Sequence, residues 1–347
     1  PRDPFSRQDL RELAEENYKQ NQFLQDKYST FNDLEKQLQL PDHLSCSLDL
    51  ATATGKSFVM YGIARIMLAE GVIDQALVLC PSNTIERGLA DKFKRLSGDA
   101  DLRKLLPKDA KIRNPRIIHA TQTIQKGDIA IENIHATYAT TKSAIEDSLK
   151  GRGARTLVLN DEAHHIYSPT DKALKKWKEF LLDPKYSFRY VVGVTGTAYV
   201  GNDYFNDVIY QYTIREAIDE RFIKTIDYAV EGVPKSEREK FQWILNNHED
   251  ARKKYKKVKP LTIIITQKID GCEKLTEKWI NFLSEARKIS KKAAEEKVLI
   301  VTSSSKHEDN VKQKLPHVDE KRNPVEFIAS VSMLTEGWDV ENVFQIV

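Results

Sequence analysis

The feature that most constrains this chain is a Gly-Lys-Ser sequence placed between an apolar run and a helix-like pattern. The run Leu48–Leu50 predicts a strand, and Gly55, Lys56 and Ser57 fall where that strand would turn into a helix. Backbone N–H groups at such a turn bind phosphate, a lysine reaches the β- and γ-phosphates, and a serine hydroxyl binds Mg²⁺. The sequence therefore predicts an ATP site with Mg²⁺ at this turn. The predicted nucleotide-binding residues are Ala51, Thr52, Ala53, Thr54, Gly55, Lys56 and Ser57.

A second apolar run, Leu157–Asn160, leads into the sequence Asp-Glu-Ala-His at residues 161–164. In a phosphate-loop site, Asp161 would hold the metal directly or through water, and Glu162 would orient and deprotonate the attacking water. The two motifs come in the expected order, each at the end of a predicted strand. They predict an ATP hydrolase whose catalytic residues are Glu162, Asp161 and Lys56, with Ser57 and Asp161 as the Mg²⁺ ligands.

The phosphate loop departs from its usual pattern at two positions. A glycine normally stands where this chain has Leu50, and in a related variant of the loop a glycine stands where this chain has Ala53. If that position needs a positive φ, alanine costs roughly 1 kcal/mol of strain. Two alternatives stay open here, a strained loop and a loop built with negative φ.

Composition limits the class of protein. The 347 residues suffice for two domains, and 30% charged with 40% hydrophobic residues is ordinary for a globular protein. A net charge of +3 means that any nucleic-acid surface must be local. No apolar run approaches the length of about 20 residues that spans a bilayer, and the three cysteines have no metal-ligand spacing. We expect no membrane association and a cytoplasmic location.

Short apolar runs alternate with amphipathic helix patterns along most of the chain, which predicts an α/β fold with parallel sheets. Residues 1–43 predict a helical lead-in, 44–232 a first domain, 233–260 a basic linker or helix, and 261–347 a second domain that stops early. The predicted strands are 75–80, 116–120, 129–133, 156–160 and 190–195 in the first domain and 261–266, 297–302, 326–331 and 343–347 in the second.

Three further polar groups follow predicted strands. Thr195 and Thr197 flank a glycine, and either a contact to the acidic motif or a plain helix-starting turn fits them. Ser82, Asn83 and Thr84 fit a sugar-phosphate contact or a helix N-cap. The last group, at residues 335–339, contains Thr335, Glu336, Gly337, Trp338 and Asp339.

Taken together, these groups resemble the motif set of superfamily 2 helicase and translocase motors. Gly-Lys-Ser corresponds to the Walker A motif, Asp-Glu-Ala-His to the DEAH box, Thr195–Ala198 to motif III, Cys80–Thr84 to motif Ia and Thr335–Asp339 to motif V. The chain is most similar to the restriction (Res) subunit of type III restriction enzymes and their phage-defence relatives. That resemblance implies two RecA-like domains in tandem, the second apparently incomplete.

The resemblance also implies roles and partners. The chain would be an ATP-dependent motor on double-stranded DNA, with RNA not excluded as the track, and its partner would be a methyltransferase or specificity subunit. His164, Thr195 and Thr197 would couple nucleotide state to nucleic acid. Ser82, Asn83 and Thr84 would contact the backbone, and motif V would act through Thr335 and Glu336 on nucleic acid and through Gly337 and Asp339 on nucleotide.

Some parts of the family pattern are not identified in this chain. The arginine finger of motif VI and a convincing adenine-reading glutamine are missing, since Gln8 is only a weak candidate, and any nuclease domain is expected outside these residues. Two other functions therefore stay open. One is a phosphate-loop ATPase that acts on protein, and the other is a nucleotide-gated DNA-binding module with little turnover.

Overall fold

The computed structural model describes residues 7–38, 40, 43–119, 121–137, 144–167, 172–225, 232–331, 340 and 342–347. The chain divides into two compact units, Pro1–Ile226 and Asp227–Val347. Within the described ranges, no helix combines the length and apolar character needed to cross a membrane.

The first unit is built on a seven-stranded sheet in which every neighbouring pair is parallel. Its strand order is β3-β4-β2-β5-β6-β1-β9, and a short antiparallel hairpin, β7–β8, follows β6. Because the strands are parallel, their carboxyl ends share one edge of the sheet, where ligands of such sheets bind. The strands are β1 (Leu44–Leu50), β2 (Gln75–Cys80), β3 (Arg116–His119), β4 (Asp128–Asn133), β5 (Thr156–Asp161), β6 (Tyr190–Thr195), β7 (Tyr199–Val200), β8 (Asp203–Tyr204) and β9 (Val208–Tyr212).

Helices cover both faces of this sheet, so its central strands β2 and β5 are buried throughout and mostly apolar. In β2, Val78 faces one core together with Met60 and Phe93, whereas Leu79 faces a second core that contains Trp177. This alternation follows from the two-residue period of a strand, and burial on both faces explains the continuous apolar runs in the sequence. The helices are α1 (Arg7–Gln20), α2 (Gln22–Lys27), α3 (Phe31–Gln37), α4 (Lys56–Ala69), α5 (Asn83–Gly98), α6 (Ala100–Lys104), α7 (Ile145–Leu149), α8 (Lys172–Leu182) and α9 (Ile214–Asp219).

The second unit repeats this construction on a smaller scale. Its four strands are all parallel in the order β11-β12-β10-β13. Phe327 packs with Trp279 and Phe282 on one face of the sheet, and Ile328 packs with Leu299 on the other. The elements are α10 (Glu237–Lys254), β10 (Leu261–Ile265), α11 (Ile269–Arg287), α12 (Lys291–Glu295), β11 (Val298–Val301), β12 (Phe327–Ser330) and β13 (Val343–Ile346).

The predicted α/β class with two parallel sheets is confirmed. β1 begins four residues before the predicted run Leu48–Leu50, and every other predicted strand has a counterpart within two residues at either end. The helical lead-in lies in the first unit, and the basic segment lies in the second, where α10 packs through Phe241, Ile244 and Leu245. The sequence did not predict β9 or the β7–β8 hairpin. These strands are short or lie at an edge, and Ile209 and Tyr210 of β9 are exposed, so the usual alternation signal is absent.

Candidate active site

The phosphate loop connects the end of β1 to the start of α4. Ala51 is buried, and its carbonyl accepts hydrogen bonds from the Thr54 hydroxyl at 2.6 Å and the Thr54 amide at 3.3 Å. Gly55 has a left-handed backbone with φ 93°, and its carbonyl accepts from the amides of Phe58 and Val59 to begin the helix. The loop therefore closes as a tight turn into α4, whose first amides point toward the helix N-terminus.

Ala53 lies in the left-handed region, with φ 65°. An L-residue with a Cβ atom pays for that conformation, by roughly 1 kcal/mol relative to glycine. Of the two alternatives left open by the sequence, the structure has the strained one. The loop has the backbone conformation that a glycine adopts easily, and the alanine at this position strains it.

The acidic motif begins at the last residue of β5. Asp161 is only 7% exposed, and its Oδ1 atom has no hydrogen-bond partner among the described residues. Glu162 follows with a left-handed backbone of φ 51°, after which residues 163–167 form a 3₁₀ turn. The chain thus turns sharply at Glu162, directly after β5 ends.

The loop and the acidic motif meet through Lys56 and Glu162. The Lys56 Nζ atom lies 2.7 Å from Glu162 Oε1, and both side chains are mostly buried. Charge-assisted hydrogen bonds of this length are among the stronger polar contacts in proteins. The lysine expected to bind phosphate is therefore held by the carboxylate expected to activate water.

Asp161 sits in an environment that disfavours its charge. Burial raises the pKa of its carboxyl group to about 6, and the negative charge of Glu162 adds to the rise. A buried carboxylate oxygen without a hydrogen-bond donor normally costs free energy. Such an oxygen is suited to a cation, because a cation would stabilise its negative charge.

The acidic motif is joined to β6 through His164. The His164 Nδ1 atom lies 2.9 Å from the Thr195 hydroxyl and 3.2 Å from the Thr197 hydroxyl, and the Thr197 amide donates to Thr195 Oγ1 at 3.1 Å. The segment after β6 runs into the β7–β8 hairpin, so the interpretation as a helix-starting turn is wrong. The threonines instead form a polar contact with the acidic motif.

Two glycines of the β6 segment allow this close packing. A Cβ atom on Gly193 would lie 2.8 Å from the Ala163 Cβ atom, closer than real Cβ atoms come. A Cβ atom on Gly196 would lie 3.1 Å from the Leu50 carbonyl oxygen and 3.3 Å from the Thr52 hydroxyl. The β6 segment therefore touches both the acidic motif and the phosphate loop.

The polar residues that follow β2, Ser82 and Asn83, have a structural role. Ser82 is the N-cap of α5, since its hydroxyl accepts from the Ile85 amide, and Asn83 Oδ1 accepts from the Asn133 side chain at 2.7 Å. Asn133 also donates to Glu86, which contacts His119 at 3.2 Å. Glu86, Asn133 and His119 lie at or beside strand ends on the carboxyl edge, and no motif in the sequence had pointed to them.

A second missed contact fixes the strand that carries the loop. Asp49 is buried at the end of β1, and its Oδ2 atom accepts from the Tyr204 hydroxyl and the Gln211 amide, each at 2.9 Å. Tyr204 belongs to β8 and Gln211 to β9. Since neither strand was predicted, the sequence offered no signal for this contact.

The motif V residues Thr335, Glu336, Gly337, Trp338 and Asp339 lie outside the described residues, as does the side chain of Thr84. Among the predicted site residues that the structure describes, those of the phosphate loop, the acidic motif and the β6 segment meet at one edge of the first sheet. Ser82 and Asn83 lie on the same edge, at the end of β2.

Comparison with known proteins identifies the family. The family model for the type III restriction enzyme, res subunit, matches residues 12–199, which is more than half of the chain. A search of curated proteins found no match.

Several solved structures resemble the chain in fold. Mss116p bound to ssRNA and AMP-PNP gives a TM-score of 0.51 at 11% identity, covering 88% of this chain and 60% of that one. S. cerevisiae Dbp5 bound to RNA and ADP BeF3 gives 0.45 at 12% identity, covering 87% and 69%. The Pyrococcus furiosus Hef helicase domain gives 0.44 at 12% identity, covering 96% and 90%. The chain therefore belongs to the type III restriction enzyme res subunit family and has the tandem RecA-like fold of a helicase-like, ATP-dependent motor.

Proposed function

We propose that the chain is the motor of a DNA translocase that uses ATP and Mg²⁺, in a type III restriction or related phage-defence system. The observation that carries the proposal is the 2.7 Å contact between Lys56 and Glu162. A phosphate-binding lysine and a carboxylate within hydrogen-bond reach of each other make a site where a terminal phosphate and its attacking water can meet.

The triphosphate is assigned to the loop of residues 51–57. The first amides of α4 point toward its N-terminus, where the partial positive charge of the helix favours an anion. Lys56 leaves Glu162 when a phosphate offers it a stronger partner, because a phosphate carries more charge than one carboxylate. Binding of nucleotide thereby frees Glu162 to act on water.

The residues present fit a magnesium ion. Asp161 offers a buried carboxylate oxygen that no donor in the described part of the chain satisfies, and Ser57 offers a hydroxyl at the first turn of α4. Oxygen ligands of this kind, few in number, are what Mg²⁺ uses beside a nucleotide. When bound, the ion would neutralise charge on the β- and γ-phosphates.

Glu162 is the general base of the proposed reaction. Its carboxylate contacts Lys56 of the loop, whereas Asp161 is buried at the end of β5, so we assign the two acids separate tasks. Asp161 would hold the metal, and Glu162 would accept the proton of the water that attacks the terminal phosphate. Lys56, which leaves Glu162 when nucleotide binds, remains paired with the phosphate.

The contact of His164 with Thr195 and Thr197 is the proposed coupling element. It connects the residue two positions after the base to the β6 segment, which also touches Thr52 of the loop. A shift of Glu162 on nucleotide binding would move His164 and change these hydrogen bonds. We assign Thr335, Glu336, Gly337 and Asp339 of motif V to the same coupling on the strength of their sequence.

DNA is the proposed track because the family is that of a restriction enzyme. Mss116p and Dbp5 are bound to RNA in their structures, which describes those proteins and leaves RNA as the alternative track. Ser82 and Asn83, at the carboxyl edge of the sheet, are proposed to contact the sugar-phosphate backbone. A methyltransferase or specificity subunit is the proposed partner, and the cytoplasm, which holds both ATP and DNA, is the proposed location.

ATP hydrolysis by the full-length protein, with and without nucleic acid, tests this function. We expect Mg²⁺-dependent hydrolysis that duplex DNA stimulates strongly and duplex RNA of the same sequence stimulates weakly. Equal rates with and without any nucleic acid would favour an ATPase that acts on protein. Tight nucleotide-dependent DNA binding with less than one turnover would favour a nucleotide-gated binding module.

A further inference from the structure

The amino ends of β10, β11 and β12 share one edge of the second sheet, opposite the edge where such sheets hold nucleotide. The residues that precede these strands, Lys259, Lys297 and Glu326, lie at this edge together with the end of α10. None of them belongs to the site described above. They surround a cleft that the motor function leaves unused.

The cleft has a volume of about 640 Å³ and is lined mainly by cations. Seven of its thirteen lining residues are lysine or arginine, and one is a carboxylate. Like charges gathered in a concave surface repel one another and raise the local concentration of anions. The lining cations are Arg252, Lys256, Lys257, Lys259, Lys297, Lys321 and Arg322.

The one carboxylate is already fully engaged. Glu326 is 6% exposed, and it contacts Lys297 at 2.6 Å, Arg287 at 2.8 Å and His248 at 3.2 Å. Burial by itself would raise the pKa of Glu326, but the contacts to His248, Lys297 and Arg287 hold it well below its usual range. Glu326 therefore stabilises the floor of the cleft and leaves the charge of the rim uncompensated.

The rim cations differ from those of the floor. Lys259 donates to the carbonyls of Val318 and Asn323, so it is tied to the backbone. Lys256, Lys257 and Lys321 are exposed, and none of them has a hydrogen bond or ion pair within the described part of the chain. The same holds for Arg322, which completes a set of four cations available to a ligand.

The lining also limits the kind of ligand. Its apolar members are Val258, Pro260 and Pro324, and its one ring among the described residues, His248, is buried and held by contacts to Thr262 and Glu326. Recognition of bases relies on aromatic stacking or on paired hydrogen bonds to base edges, whereas flexible lysines contact phosphates without reading sequence. The cleft is thus built for a row of phosphates and not for a base.

We propose that this cleft binds the phosphodiester backbone of nucleic acid, without sequence preference, as a second contact separate from the ATP-site edge. The choice of nucleic acid among polyanions rests on the proposed function, whereas the charge of the cleft does not. Such a contact would hold the strand beside the motor while the coupling residues change state.

Charge reversal at the rim tests the proposal. Lys257→Glu/Lys321→Glu is compared with Lys240→Glu/Lys274→Glu, which reverses two exposed lysines of the same unit that do not line the cleft. Binding of labelled DNA of mixed and of A·T-only sequence is measured without nucleotide by fluorescence anisotropy over a range of salt. The rim variant should bind both at least about tenfold more weakly, with the slope of log affinity against log salt reduced by about 2.

The outcomes separate the possibilities. Equal affinity of the rim and control variants would overturn the proposal, as would displacement of DNA from the wild-type protein more readily by poly-glutamate than by unlabelled DNA of matched charge. Rescue of binding in Lys257→Arg/Lys321→Arg would support a phosphate contact and exclude a folding defect. Failure of DNA to stimulate ATP hydrolysis, with rim-dependent binding intact, would count against the proposed function alone.

Discussion

The Lys56 ammonium and the Glu162 carboxylate form a 2.7 Å ion pair that closes the phosphate site on itself. The side chains are 13% and 18% exposed, so water screens the pair only in part. In the absence of nucleotide, Glu162 occupies the lysine that would bind phosphate, and Lys56 occupies the carboxylate that would activate water. The ion pair therefore competes with ATP, and the two residues are expected to fail in opposite ways when they are changed.

Replacing Glu162 by glutamine should separate binding from hydrolysis. Glu162→Gln removes the base and weakens its hold on Lys56, so ATP should bind at least as tightly while hydrolysis falls by about a hundredfold to ten-thousandfold. Lys56→Ala should lose nucleotide affinity as well. Titration with a fluorescent ATP analogue and a phosphate-release assay measure the two effects. Lys185→Ala, which breaks an ion pair with Glu146 elsewhere, is the control. Equal loss of affinity in both site variants would contradict the assignment.

Ala53→Gly should relieve the backbone strain of the phosphate loop. We expect a gain of roughly 1 kcal/mol, seen as tighter ATP binding or a higher melting temperature. Lys288→Gly changes another left-handed residue, the cap of α11 with φ 53°, and should stabilise the fold without affecting ATP. Isothermal titration measures the affinity for ATP and thermal unfolding measures stability, so together they separate an effect on the ATP site from an effect on the fold. Weaker binding of ATP by Ala53→Gly would show that the strained alanine does not lower the affinity for ATP.

Asp161→Asn should stabilise the nucleotide-free protein while abolishing its response to Mg²⁺. An acid whose pKa is raised to about 6 destabilises the fold at higher pH, here by about 3 kcal/mol at neutral pH. This cost is present above pH 6 and disappears below about pH 4, where the acid is neutral in both states. Unfolding by urea at pH 7.5 and pH 4 should therefore show a gain at the higher pH only.

A second buried acid provides the control for that experiment. Burial also raises the pKa of Asp207, which the proposed metal site does not use. Asp207→Asn should also stabilise the protein at pH 7.5 and keep the Mg²⁺-dependent binding of ATP. Loss of that binding in both variants would show that the metal does not depend on Asp161 in particular.

Thr195→Val should uncouple hydrolysis from nucleic acid. Valine keeps the buried shape but removes the hydroxyl that contacts His164 and accepts from the Thr197 amide. We expect the ratio of ATP hydrolysis with DNA to hydrolysis without DNA to fall about tenfold, from the loss of one or two buried hydrogen bonds. Thr195→Ser restores the hydroxyl and should restore the ratio. An unchanged ratio in Thr195→Val would remove His164 and Thr195 from the coupling.

Glu326→Gln should destabilise the second unit in a pH-dependent way. The folded-state pKa of Glu326 lies below its unfolded value, so its ion pairs stabilise the fold above about pH 4.3 and are lost as the pH falls through the folded pKa. Removing the charge leaves Arg287 and Lys297 uncompensated, at a cost of about 3 kcal/mol or more at pH 7. Melting temperatures of the two proteins should converge at acid pH.

The sequence was sufficient for the fold class and for where the motifs lie, because both depend on local patterns. Apolar runs buried on two faces predicted the central strands, and Gly55 and Asp161 stand where β1 turns into α4 and where β5 ends. It could not predict contacts that join distant strands. The contact of Asp49 with Tyr204 and Gln211 spans more than 150 residues, and its partners lie on strands too short or too exposed to carry a pattern.

The backbone conformations of Ala53 and Glu162 could not be predicted from the local sequence either. The sequence left the sign of φ at Ala53 open, since an alanine loop can be built either way, and nothing suggested that Glu162 would also be left-handed. Both positions are neighbours of residues that the β6 segment approaches closely, since Gly193 lies against Ala163 and Gly196 against Thr52. Such positions are visible only once the strands are assembled.

The position of β1 in the sheet also bears on how the protein is made. β1 leaves the ribosome before every other strand of the first unit, yet its two neighbours, β6 and β9, are synthesised near the end of that unit. Until residue 195 has emerged, the strand that carries the phosphate loop has neither hydrogen-bonded partner, and until residue 212 has emerged it still lacks β9. Long-range pairing of this kind forms late in folding. A nascent chain would accordingly acquire its ATP site in a single late step, and truncated products of translation would not capture nucleotide.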